Sequence, residues 1–166
     1  MNKMQRMLSI LIAISLLLVA CSGPSAEEKD AKAKELITEY SKTLMEVKDY
    51  RELDIQEDSF VIDQINRIKP YFSKAGFEAR RTNDMMVLIL AAEHQRNIEL
   101  GEVELKSMEA ESDRFDYEYR IPVRIKDEAG ELLGEHEYQG QVKLVEENGR
   151  LIIEKEWSRP LKPRIW

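Results

Sequence analysis

His136 is the residue best suited to do chemistry in this chain. An imidazole titrates near neutral pH and serves as a general base or a ligand contact. Read as part of a strand, its segment sends His136 to the same face as Tyr138 and Val142, while Glu135 and Glu137 point the other way. The Glu-His-Glu run is therefore not a catalytic pair. Tyr117 and Tyr119 share the inner face with Tyr138 on the alternation of the preceding strand, and three phenols around a recess would suit a small apolar ligand. The commoner arrangement has the same rings filling a core with their hydroxyls at its margin, and a histidine near a strand's start half-solvated at the sheet rim. Lys155 falls in phase with Leu151, Ile153 and Trp157. It is either an inward amine or a lysine that snorkels out to water.

The remaining polar groups converge less. His94 lies near the end of a helix, where a protonated ring favours the macrodipole. A metal bound by His94 and His136 would need a third ligand that no residue nominates. Asp54, Glu57 and Asp58 lack the alternating acids and central glycine of a calcium loop. Arg159, Lys162 and Arg164 form a basic tail ending in Trp166, suited to a partner, an anionic polymer or the chain's own acidic body. A nucleophile elbow, a phosphate-binding glycine loop and a dinucleotide fingerprint are all absent. The expectation is a non-catalytic protein with no cofactor and no metal.

Charge and length narrow the class. The chain has 166 residues and a formal net charge of −7, with 34 % charged and 43 % apolar residues. That excludes a multispan membrane protein and a basic nucleic-acid binder. Lys3 and Arg6 are the charged residues of the first twenty, so the chain beyond them is more acidic than the whole. One domain is the natural count.

The start of the chain sets an address. Met7 to Ala20 is an apolar run behind a short basic stretch. At about fourteen residues it makes a helix of roughly 21 Å against a hydrocarbon core of about 30 Å, too short for a stable span, and it reads as a secretory signal peptide. Leu18-Val19-Ala20-Cys21 resembles the lipobox of bacterial lipoproteins, with the only cysteine at the lipidated position. The resemblance implies cleavage between Ala20 and Cys21, a diacylglycerol thioether on Cys21, and often acylation (palmitate or a similar chain) of the freed amine. Two acyl chains, at about 0.8 kcal/mol per buried methylene, hold a protein firmly where one does not. Ser22-Gly23-Pro24-Ser25-Ala26 then begins a tether that runs to about Asp30, with a coil-like reach of roughly 15–20 Å. The expected divisions are a signal peptide over 1–20, a lipidated tether over 21–30, a domain over 31–157 and an extended tail over 158–166. The expected place is the extracytoplasmic face of the cell membrane.

The domain reads as helices followed by strands. Ala33, Leu36, Ile37, Tyr40, Leu44 and Val47 mark an amphipathic helix. Asp58 or Ser59 caps a second, whose Val61, Ile62, Ile65 and Ile68 form a stripe. Pro70 ends it and opens a short third helix that Gly76 closes, and Met85 to Ala92 favours a further helix behind Thr82-Asn83-Asp84. A strand from Ile98 to Leu105 is bulged near Gly101. Phe115 to Ile125 alternates cleanly, Leu132 to Leu144 follows a turn at Asp127-Gly130, and Asn148-Gly149 signals a hairpin into Arg150–Trp157. The fold class is α+β, with N-terminal helices packed on a curved antiparallel β-meander of about four strands.

This order of elements, with the Pro70-Tyr71-Phe72 turn near Gly76-Phe77, the Asn148-Gly149 hairpin and the late Trp157, resembles the nuclear transport factor 2-like (cystatin-like, cone-shaped) superfamily over roughly Glu27 to Trp157. The resemblance implies a sheet curved around the helices, used by some members as an enzyme pocket and by others as a binding surface or a plain core. The reading is a lipid-anchored, non-catalytic protein that binds an envelope protein or a wall polymer and no nucleic acid. A small apolar ligand among Tyr117, Tyr119, His136 and Tyr138, or an isomerase-like reaction at His136, stands as the alternative.

Overall fold

The computed structural model describes residues 25–80, 85–108, 114–159 and 161. Ala20, Cys21, the signal segment, the Thr82-Asn83-Asp84 entry and most of the tail lie outside them. The chain divides into two units, Met1–Ala31 and Lys32–Trp166. In the first, Ser25 caps the opening of helix α1 (Ala26–Met45) by accepting the Glu28 N–H at 3.2 Å, and Glu27 and Glu28 sit in the first turn where the macrodipole favours acids. All else described below belongs to the second unit.

Helix α1 buries Ala33, Ile37, Tyr40, Ser41, Leu44 and Met45, the stripe expected of its apolar spacing. It ends before Val47, which exchanges backbone hydrogen bonds with Ile98 at 3.0 and 2.8 Å. A 3₁₀ turn at Tyr50–Glu52 follows, capped by Asp49 and tied to the sheet where Asn97 Oδ1 accepts the Tyr50 N–H at 3.0 Å. In helix α2 (Phe60–Ile68) the buried face is Phe60, Gln64 and Ile68, not the stripe expected through Val61 and Ile62, which is 60 % exposed. Phe60 is the larger anchor, and four-residue steps from it rotate its neighbours into water. Ser59 holds the N-cap position without capping a backbone N–H, and its hydroxyl instead donates to Asp63 at 2.8 Å.

Lys69–Tyr71 forms a 3₁₀ turn around Pro70, and helix α3 (Lys74–Ala79) starts at Ser73, whose Oγ accepts the Gly76 N–H at 3.0 Å. Gly76 therefore does not close this helix. It lies buried inside it, where an added Cβ would sit 2.8 Å from the Ile153 carbonyl oxygen. A glycine here lets helix and strand backbones touch. Tyr40 meets Phe72 edge-on at 5.4 Å, and the Arg80 guanidinium stands over both rings. Helix α4 (Met86–Glu93) buries Leu88 and Ala91.

One antiparallel sheet of five strands carries the rest: β1 (Asn97–Leu100), β2 (Glu104–Ser107), β3 (Arg114–Lys126), β4 (Leu132–Glu147) and β5 (Arg150–Ser158). The order is β1-β3-β4-β5, with β2 beside β1 along the same edge of β3. The single bulged strand expected from Ile98 to Leu105 is thus two short ones. Leu100 faces Val123 and Glu104 faces Arg120, which sets three residues against two and puts the extra one at the Gly101 break. Pro122 has no N–H to offer, yet its carbonyl still accepts the Gly101 N–H at 2.7 Å. Tyr117, Tyr119, Ile121, Val123 and Ile125 are buried on β3, with Tyr138, Val142 and Leu144 on β4 and Ile153 on β5. Asn148 and Gly149 both take positive φ, as a two-residue hairpin of right-handed strands demands. Leu132 faces out rather than in, because the register shifts between Ile125 and Lys126.

Candidate functional site

The inner face is packed. Tyr117, Tyr119 and Tyr138 are each at most 3 % exposed and belong to the hydrophobic core, with the Tyr119 and Tyr138 rings 5.9 Å apart. His136 pairs with Val123 at the less buried end of β4 and is half-buried, with Nε2 beside Gly134. His94 is an exposed helix C-cap. Among the described residues, no three of His, Cys, Asp and Glu gather as a metal would require.

One inward acid escaped the sequence reading. The β4–β5 register slips between Lys143 and Leu144, so Lys143 faces Lys155 but Leu144 faces Ile153, and Glu154 is the extra residue. Beyond this bulge the phase inverts. Lys155 and Trp157, expected inward with Ile153, lie on the outer face, and Glu156 turns in opposite the buried Val142. Its carboxylate accepts from Tyr119 Oη at 2.6 Å and, more loosely, from Tyr138 Oη at 3.5 Å. Gly140 makes room for this: a Cβ there would run into the Tyr119 ring end and sit 2.7 Å from the Trp157 carbonyl oxygen. Burial, then the nearby Tyr138 and the Glu156 charge, hold the Tyr119 phenol well above its ordinary pKa, so it stays a neutral donor. Leu151, Ile152 and Ile153, three apolar residues in a row within an alternating strand, were the only sign of the bulge.

The open recess lies on the other side of the sheet. It has a volume of about 420 Å³ and is lined by Glu118, Arg120, Gln139, Gln141, Trp157 and Arg159 together with intervening backbone. Two cross-strand rows build it. In one, Glu118 pairs with Gln141 and Gln141 with Trp157; in the other, Arg120 pairs with Gln139, whose carbonyl accepts the Arg159 N–H at 2.9 Å. Gln141 donates to Glu118 at 3.2 Å, and Gln139 donates to Glu137. Trp157 is 50 % exposed, with the Lys155 ammonium 4.4 Å from its ring centroid. A large aromatic surface, two guanidiniums and two amides thus share one recess on the outer face. Its residues sit where a strand without a bulge would have hidden the tryptophan.

No family model matches the chain, and no curated protein matches it. Solved structures do. A crystal structure of an IcmL-like type IV secretion system protein from Legionella pneumophila is 16 % identical, with a TM-score of 0.58 over 86 % of this chain and 97 % of that one. The solution structure of TraH, described as a transfer protein of the Gram-positive conjugative plasmid pIP501, is 9 % identical, with a TM-score of 0.51 over 86 % and 99 %. A protein of unknown function with a cystatin-like fold from Nostoc punctiforme is 13 % identical, with a TM-score of 0.49 over 86 % and 99 %. Looser likenesses, at 0.44 and 0.46, include an NTF2-like and a ketosteroid isomerase-like protein. At such identities the likeness is one of fold, and the fold is helices followed by a curved antiparallel sheet.

Proposed function

We propose that this chain is a lipid-anchored lipoprotein of the extracytoplasmic membrane face whose domain is non-catalytic and binds another envelope protein through the outer face of its sheet. The carrying observation is the recess around Trp157. It is open and polar, whereas the tyrosines that would line an inner pocket are buried, with Tyr119 and Tyr138 directed at Glu156. Attachment is assigned to lipid on Cys21 from the likeness of Leu18-Val19-Ala20-Cys21 to a lipobox. The descriptions of the two structures of higher TM-score name secretion and plasmid transfer, and a binding task outside the cytoplasm accords with both.

The test is a cleavable amine-reactive crosslinker applied to intact cells expressing the tagged full chain. A defined envelope protein recovered above background supports the reading, and Cys21→Ser moves the chain out of the membrane fraction. Recovery no better than from an untagged strain overturns the binding role. A Cys21→Ser chain that stays with membranes overturns the anchor.

A further inference from the structure

We propose that the recess receives an acidic segment of a partner protein, with Arg120 and Arg159 each taking a carboxylate and Trp157 taking an adjoining apolar side chain. This rests on the reading of the domain as a binding module and names the chemistry of what it binds.

Charge is the first ground. The chain is acidic, yet two arginines stand open in this one recess, whereas Arg124 binds Glu99 and Glu135 and Arg51 binds Asp49. Arg120 and Arg159 make no ion pair and no side-chain hydrogen bond among the described residues, although Glu104 is the cross-strand neighbour of Arg120. Two planar forks left open on one face match carboxylates in a geometry that a lysine would not supply.

Spacing is the second. The arginines flank Gln139, Arg120 on β3 and Arg159 just past the end of β5, which at about 4.8 Å per strand separates their backbones by about 10 Å. Alternate residues of an extended peptide lie about 7 Å apart on one face, a distance that two flexible arginines close on readily. Acids at positions i and i+2 therefore fit, and Trp157, one row along, meets a side chain beside them. A long polyanion fits less well, because Glu104, Glu118 and Glu137 border the recess and the body beyond them is acidic.

The full chain carrying Trp166→Phe, in detergent micelles, keeps Trp157 as its single tryptophan. Its fluorescence is titrated with a short peptide of sequence Gly-Asp-Gly-Asp-Gly-Phe-Gly, whose acids and Phe share one face when extended, with the matching Asn peptide and with polyphosphate. The acidic peptide is expected to give a saturable change that weakens at least tenfold in the Asn peptide, and about tenfold in the Arg120→Ala, Arg159→Ala double variant. Equal binding of the Asn peptide, an unaffected double variant, tighter binding of polyphosphate or no saturable change by about 1 mM overturns the proposal. If the crosslinked envelope partner survives that result, the binding role stands and only the acidic chemistry is wrong. If no partner is captured, the binding role itself has failed.

Discussion

Tyr119 reaches past Gly140 to donate a 2.6 Å hydrogen bond to Glu156, joining β3 and β5 across β4. The bond gives an inner-face acid a neutral donor, on the same strand phase that puts Trp157 outside. Tyr119→Phe leaves a half-buried carboxylate short of its nearest donor and is expected to cost about 1–3 kcal/mol of folding stability in urea unfolding. Glu156→Gln keeps an acceptor in place and is expected to cost less. A Tyr119→Phe loss indistinguishable from zero contradicts the role assigned to this pair.

The same phenol predicts a response to alkali. Its folded pKa is raised above the ordinary tyrosine value near 10, so its contribution is complete below that pH and is lost as pH climbs through the folded value. Stability is expected to fall above about pH 10 more steeply in the native chain than in Tyr119→Phe. Parallel slopes in chemical unfolding at pH 9 and pH 11 contradict this.

Gly140→Ala drives a methyl into the Tyr119 ring end and the Trp157 backbone. Overpacking against two strands at once is expected to cost at least about 2 kcal/mol, whereas Gln141→Ala next door, exposed on the outer face, stays within about 0.5 kcal/mol. Thermal unfolding of both variants makes the comparison.

On the acid side, Lys126 and Arg124 hold the Glu99 carboxyl below its usual range. The stabilisation is present above the ordinary carboxylate range and disappears as pH falls through the lowered value. Glu99→Gln is expected to flatten the decline of stability between pH 5 and pH 3 slightly, since these groups are well exposed and screened. A steeper decline in the variant contradicts the sign.

How far these relationships could be read from sequence depended on whether a period ran unbroken. The alternation from Phe115 to Ile125 names the inner face of β3 correctly, and Asn148-Gly149 marks its hairpin because only such residues accept two positive φ angles cheaply. Where one residue is inserted, the same period misleads. A bulge at Glu154 carries Lys155 and Trp157 to the outer face and Glu156 to the inner, and a shift near Leu133 exposes Leu132. The rotation of α2 onto Phe60 and the burial of Gly76 against Ile153 arise from contacts between elements far apart in the chain. So the tyrosines were legible as a cluster, while the recess was not, since its tryptophan was assigned to the wrong side.

The most direct test of the outer face as the acting surface is site-specific photo-crosslinking in intact cells. A benzophenone side chain replaces Gln141 in the recess or, as the control, the exposed Ile62 of α2. The account predicts a discrete adduct with an envelope protein from position 141, lost when Trp157→Ala is added, and none from position 62. An adduct from position 62 with none from position 141 would contradict it.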